Sequence, residues 1–230
     1  MWWEQVAVPQ ALRRGEFDLY HAPAEHGIPV LSRRPTVLTV HSVTMHSYAD
    51  LIRQGQLTGQ LRDYLGSDAV PGRWTPANIY WHLQVHRARH LFTPSAFTRD
   101  ELVRFLRIPP ERVTVTPLAV HKQFEQPPKT TETRTAALER LGVRPPYLLY
   151  VGGYEPHKNV EGLLRVFAKV RGERAGLSMV LVGTKGLPAR LPELAAALGL
   201  SDTGAVVFLV DLTDELTDLY DAAELFVTLS

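Results

Sequence analysis

Short β-branched and apolar runs alternate with segments of helical period along most of this chain, and that alternation restricts the fold to one class. Thr36-Val37-Leu38-Thr39-Val40, Tyr147-Leu148-Leu149-Tyr150-Val151, Met179 to Val182 and Ala205 to Val210 are apolar on both faces. A strand of that kind is buried on both sides, as in a parallel sheet covered by helices. The segments between them repeat apolar residues at helical spacing, for example Val160, Leu163, Leu164, Phe167 and Val170. Strand, helix, strand in succession predicts βαβ units and an α/β fold.

Further elements follow from local signals. Residues 17–21, 90–93, 113–116 and 225–228 read as shorter strands. A helix is expected over about 78–90. The next begins at Ser95 or Thr98, with Glu101 as the reciprocal capping partner of Thr98 and Leu102, Phe105 and Leu106 inward. Pro109-Pro110 ends it. Residues 44–78 contain Gly55, Gly59, Gly66, Pro71, Gly72 and Pro76, and read as short helical pieces and a loop. Pro127-Pro128 and the polar run Lys129 to Arg134 read as a linker, followed by a short helix over about 135–141. Helices are also expected over 191–198, with Gly199 at its end, and from Thr213 as cap, with Leu216, Leu219, Tyr220 and Ala223 inward. This divides the chain into a first domain at 1–123, a connecting segment at 124–146 and a second domain at 147–230.

Composition removes several function classes. Lys plus Arg number 25 against 24 Asp plus Glu, so no global field draws the chain to nucleic acid. There is no cysteine, which excludes disulfides, thiolate metal sites and a thiol nucleophile. The start, Met1-Trp2-Trp3-Glu4-Gln5, has neither the basic residues nor the apolar run of a signal peptide. No apolar run has the length of a membrane span, so any membrane contact is expected to be peripheral. A cytoplasmic location is expected.

The segment richest in chemistry is Tyr147 to Val170, a strand, a glycine turn, a lysine and a helix. Gly152 and Gly153 let a ligand approach the backbone. The first N–H groups of the helix favour an anion, and the Lys158 ammonium beside them suits a diphosphate on which charge accumulates. An ordinary βα turn with a solvated lysine is the alternative. Neither the P-loop spacing nor GxGxxG is present.

This stretch resembles the donor-binding segment of the retaining GT-B glycosyltransferases of family 4, the group that includes bacterial mannosyl- and glucosyltransferases. Five further segments resemble the family in the same order: Thr39-Val40-His41-Ser42, Phe92 to Thr98, Arg112 to Val120, Leu181 to Gly186 and Leu219 to Val227. The resemblance implies two Rossmann-like domains facing across a cleft, the first lacking its opening strand and the second its C-terminal part. It implies transfer of a hexosyl group from a nucleotide diphospho-sugar to a sugar, lipid-linked or small-molecule acceptor, with retention of configuration. Under it His41 lies near the reacting sugar, Lys158 stabilises the leaving diphosphate, and Gly152, Gly153, His157 and Lys185 join Lys158 in binding the donor. No metal or other cofactor is expected, the nucleotide sugar being a co-substrate.

The departures from the family pattern are specific. Gly153 stands where the family often has an arginine that contacts the donor phosphates. His157 replaces an arginine and donates only when its tautomer or charge allows. Ser42 replaces an aspartate, and Leu118-Ala119 replace Asn-Gly. The family's two later glutamates and the loop between them are not found before Ser230, so the chain is expected to be a fragment, inactive by itself. A non-catalytic remnant or nucleotide-sugar-binding module is a second reading, separated by binding without turnover. A sugar-nucleotide epimerase of GT-B type is a third, separated by transfer to an added acceptor.

Other signals carry plainer readings. His82, His86 and His90 have metal-ligand spacing on a helix, but Arg87 and Arg89 repel a cation, so a cationic helix face is expected and no metal site. Trp2, Trp3, Trp74 and Trp81 are assigned to packing rather than sugar stacking. Asn159 is expected to cap its helix. Asp214, Glu215 and Asp218 are expected to form a solvated face near a helix N-terminus.

Overall fold

A computed structural model describes residues 2–15, 17–24, 26–30, 34–55, 76–127, 129–184, 186–200 and 204–229. The chain forms two compact units, Met1–Ala119 and Val120–Ser230.

In the first unit a π-helical turn, Trp3–Ala7, runs into α1 (Val8–Arg14). Four parallel strands follow in sequential order: β1 (Tyr20–Ala22), β2 (Thr36–Thr39), β3 (His90–Thr93) and β4 (Val113–Val115). The helices are α2 (Thr44–Arg53), α3 (Pro76–Arg87) and α4 (Ala96–Leu106). Leu38, Val40, Val85, Leu91, Leu102 and Ile108 form its core. Ser95 caps α4, its hydroxyl accepting from the Thr98 N–H at 3.2 Å. Glu101 does not reach back as a reciprocal cap; it accepts from the Ser47 hydroxyl of α2.

Three expectations for this unit shift. Residues 3–14 are helical, a stretch to which the sequence reading assigns no element. Thr44–Arg53 is one continuous helix, while most of the expected loop, 56–75, lies outside the described residues, as does Trp74. The strand expected over 17–21 is Tyr20–Ala22, because its register is set by pairing with Thr36 to Leu38.

The second unit opens with α5 (Thr131–Arg140) and continues β5 (Tyr147–Gly152), α6 (Val160–Glu173), β6 (Ser178–Gly183), α7 (Arg190–Ala197), β7 (Val206–Val210), α8 (Leu216–Ala222) and β8 (Leu225–Phe226). All four strands are parallel, in the order β7-β6-β5-β8. The chain moves outward from β5 to β7 and then returns to the other side of β5, so the strand order reverses between β5 and β8. One apolar layer, from Tyr150 and Leu164 to Leu181 and Leu191, lies on one face of the sheet; the other holds Leu138, Tyr147, Leu149, Val180 and Leu219.

Three sequence readings are corrected here. The polar run after Lys129 is the first turn of α5, whose cap is Thr130 accepting from the Thr133 N–H at 3.3 Å. The helix α8 begins at Leu216 and has no side-chain cap, so Thr213 does not serve as one. Asp218 is not part of a solvated face. It is 1% exposed and held by Lys129 Nζ at 2.7 Å, because α8 packs against the segment that leads into α5.

Candidate functional site

The point at which strand order reverses is where an open α/β sheet leaves a crevice at the carboxyl ends of its strands. In the second unit that point lies beside β5, whose carboxyl end is Gly152. The expected glycine turn therefore stands at the switch point. A cavity of about 960 Å³ opens at the opposite, amino ends of the same strands, lined by Arg144, Pro145, Ser178, Gly204 and Val207. It contains none of the turn residues, and size alone does not identify the chemistry.

After the turn, Pro156–Lys158 forms a single 3-10 turn that delivers His157 and Lys158 to the start of α6. Lys158 N–H donates to Glu155 O at 2.8 Å and Asn159 N–H to Pro156 O at 3.0 Å. Asn159 then adopts φ +49° and makes no side-chain cap, which corrects the expectation that it would. Its side chain lies over Gly162 instead, where an added Cβ would come 2.5 Å from Oδ1. The first N–H groups of α6 are thus not consumed by a cap. His157 is half-buried, and burial, followed by the charge of Lys158, lowers its pKa against an opposing pull from Glu155. It is neutral near pH 7, and a weaker phosphate donor than the arginine it replaces.

The glycines are not open on every side. Tyr150 stands against Gly152, its hydroxyl 2.9 Å from where a Cβ would be, and the Glu155 carboxylate folds back over Gly153. Tyr150 Oη donates to Gly153 O at 2.5 Å, and burial together with Glu155 pushes that phenol up to about 12. The Tyr154 ring stacks with Tyr150 at 6.4 Å and covers Gly183 so closely that no Cβ fits there. Arg190, at the start of α7, donates through Nη2 to Tyr154 O at 2.8 Å and through Nε to Glu161 Oε1 at 3.0 Å. Sequence reasoning did not find these restraints. Two tyrosines flanking the glycine pair were a visible signal for part of the arrangement. Nothing in the sequence marked Arg190.

Gly152, Gly153, His157 and Lys158 are thus brought together at one strand end. Lys185 lies outside the described residues. His41 belongs to the first unit and follows β2, at the carboxyl end of that sheet. Its exposed ring places Nε2 3.0 Å from Pro23 O, which only accepts, so Nε2 carries the proton. Its backbone carbonyl accepts from Thr98 Oγ1 at 3.4 Å.

The histidine series does not share one helix. α3 ends at Arg87, and His90 lies on β3, with Nε2 2.8 Å from Thr114 Oγ1. His82 instead meets His46 of α2, Nε2 to Nε2 at 3.1 Å, and stacks with His86. Among the described residues no group of three or more metal-ligating side chains stands close enough to hold an ion.

Two family models divide the chain almost completely. Glycosyltransferase Family 4 matches residues 1–124, and Glycosyl transferases group 1 matches residues 134–230. The chain belongs to Glycosyltransferase Family 4. The O-antigen chain mannosyltransferase B of Escherichia coli is 29% identical over 149 residues, 64% of this chain and 38% of that protein. The D-inositol 3-phosphate glycosyltransferase of Thermobispora bispora is 36% identical over 140 residues, 55% of this chain and 31% of that protein. Among solved structures, Anabaena HepE in complex with UDP-glucose has a TM-score of 0.69 at 16% identity, covering 97% of this chain and 56% of that one. WaaG, described as a glycosyltransferase involved in lipopolysaccharide biosynthesis, has a TM-score of 0.68 at 17% identity, covering 97% and 56%. These likenesses establish the fold as α/β of the GT-B type with Rossmann-like units. The chain spans little more than half of the similar structures and about a third of the curated relatives. No helix among the described residues is long and apolar enough to cross a membrane.

Proposed function

We propose that this family member transfers a hexosyl group from a nucleotide diphospho-sugar to a sugar, lipid-linked or small-molecule acceptor, with retention. The observation that supports the reading best is the glycine turn with Lys158 behind it, set at the carboxyl end of β5 beside the switch in strand order. The similar HepE structure holding UDP-glucose is consistent with such a donor.

In this scheme the bond between the sugar C1 and the diphosphate oxygen breaks while a bond from C1 to the acceptor oxygen forms on the same face. The acceptor proton passes to the departing phosphate. Lys158 and the first amides of α6 take up the charge that develops on the diphosphate, and His157 adds a neutral donor. Lys185 is assigned to the donor side as well. His41 holds a sugar hydroxyl or aids charge separation at the reacting carbon. The protein's share is positioning and charge stabilisation. A cytoplasmic setting, with at most a peripheral membrane contact, suits a nucleotide-sugar donor.

The test is direct. UDP-, GDP- and ADP-hexoses are titrated calorimetrically, and release of free nucleotide is followed with added acceptors in a protein that extends to the family's full length. Saturable binding with acceptor-dependent release supports the proposal. Binding without release, in every acceptor class, would replace it with a binding module.

A further inference from the structure

The arginine that the family resemblance leads one to expect at position 153 is absent, and the turn holds two backbone groups in a position to replace it. Tyr150 Oη donates to the carbonyl of Gly153 at 2.5 Å, and Arg190 Nη2 donates to the carbonyl of Tyr154 at 2.8 Å. Both side chains are anchored. Tyr150 is 1% exposed, and Arg190 is also held through Nε by Glu161. With its pKa at about 12 the phenol keeps its proton at neutral pH and remains a donor.

In a trans peptide the carbonyl and the following N–H point in opposite directions. The Gly153–Tyr154 and Tyr154–Glu155 bonds are trans. Holding Gly153 O toward Tyr150 therefore turns the N–H of Tyr154 the other way. Holding Tyr154 O toward Arg190 does the same to the N–H of Glu155. Neither N–H has an acceptor among the described residues. Pro156 follows and has no N–H, so these are the last two amides before the 3-10 turn that carries Lys158. A backbone N–H without a protein acceptor is met by water or by a ligand. Two adjacent ones, each fixed from behind and three to four residues ahead of a lysine, fit an anion with several oxygens.

We infer that Tyr150 and Arg190 are positioning residues of the donor site. They aim the N–H groups of Tyr154 and Glu155 at the diphosphate of the nucleotide sugar, supplying with two amides the contact that an arginine side chain would make. The inference rests on the donor-site reading above and assigns a role to two residues outside it. Arg190 reaches the turn from α7, so the geometry of the donor turn depends on a helix that follows the next strand.

The experiment uses the whole chain, labelled with nitrogen-15, titrated with inorganic pyrophosphate and with UDP. The amide resonances of Tyr154 and Glu155 should move downfield and saturate. Tyr150→Phe, which removes one hydroxyl, should weaken pyrophosphate about 3- to 10-fold, the value of one hydrogen bond. Arg190→Ala should do the same or more, and Arg190→Lys should recover part of the loss, since an ammonium still donates to Tyr154 O. Resonances far from the turn report whether each variant keeps its fold, and if Tyr150→Phe does not, the Arg190 pair carries the comparison. Suppose pyrophosphate binds and Lys158→Ala weakens it, yet Tyr150→Phe and Arg190→Ala bind as the parent does. The positioning role is then wrong while the donor site stands. The positioning role fails equally if other amides respond and those of Tyr154 and Glu155 stay still. No response of the parent chain to either ligand overturns the donor site and the inference together.

Discussion

Lys129→Met removes the cation that holds the Asp218 carboxylate. The carboxylate is 1% exposed, and its Oδ1 makes no hydrogen bond among the described residues. Oδ2 accepts from Lys129 Nζ at 2.7 Å, whereas the lysine side chain is 44% exposed. At this separation the attraction is ~1.5 kcal/mol in bulk water and ~6 kcal/mol at an effective dielectric of 20. Breaking a fully buried pair costs about 3–5 kcal/mol, because an uncompensated charge stays behind. Water already screens the exposed ammonium, so the expected loss here is about 2 kcal/mol. Methionine keeps the apolar stem and isolates the charge as the cause. The four tryptophans, at positions 2, 3, 74 and 81, all precede residue 120, so their fluorescence follows the first unit. Urea unfolding is therefore followed by far-UV circular dichroism as well. The dichroism midpoint should fall by about 1 M for a unit of this size. Adding Asp218→Asn should return part of the loss, since it removes the stranded charge. A change under about 0.5 kcal/mol in Lys129→Met, or a shift seen in fluorescence alone, would refute the idea that this pair ties α8 to the approach to α5.

Gly183→Ala places a methyl group against the buried Tyr154 ring, and overpacking of this kind costs about 1–3 kcal/mol; thermal melting checks it, and an unchanged midpoint would mean that the ring yields freely. His82 has its pKa lowered by burial first and then by His46 and His86, from an ordinary value of 6.5. Below that value the unfolded chain binds a proton that folded His82 resists, so stability of the first unit should fall as pH drops from about 7 through the folded pKa. His82→Gln should flatten that fall in tryptophan-monitored urea curves, and an identical pH profile would count against it. In a full-length protein, Lys158→Ala should lower kcat/KM by about 10²–10³-fold, or about 3–4 kcal/mol of transition-state stabilisation; unchanged turnover would remove Lys158 from the site. His41 is exposed and its ring makes one hydrogen bond among the described residues, so His41→Ala should reduce turnover while shifting stability by less than about 0.5 kcal/mol. Parallel loss of both would make it structural.

What was legible in the sequence was whatever depends on neighbours along the chain. β5, β6 and β7 are readable because a strand covered on both faces has no polar positions to obscure it. The glycine turn and Lys158 are readable because their spacing from β5 is local. The helix at residues 3–14 was missed, because Trp2 and Trp3 are exposed and only Val8 and Leu12 mark its inner face. The polar run after Lys129 looked like a linker because nothing apolar occurs in the first turn of α5; its cap, Thr130, was the available signal. Asp218 was misread for a different reason. Its partner lies 89 residues away in sequence, and a carboxylate near a helix N-terminus reads as solvated unless that partner is known.

The departure at Gly153 shows how these two levels meet. Read alone, it is a lost arginine and an argument against donor binding. In the folded turn the position is covered by the Glu155 carboxylate, and its carbonyl is already committed to Tyr150. A side chain at 153 would have to displace that carboxylate, so a glycine here fits the local packing. The positive potential for a diphosphate must then come from groups that need no side chain at 153: backbone amides, the start of α6 and Lys158. Amide donors do not titrate, His157 is neutral near pH 7, and the Arg190 guanidinium is paired with Glu161, so in this proposal Lys158 supplies the charge that meets the diphosphate. That places the electrostatic demand of the proposed chemistry on one residue and its geometric demand on Tyr150 and Arg190.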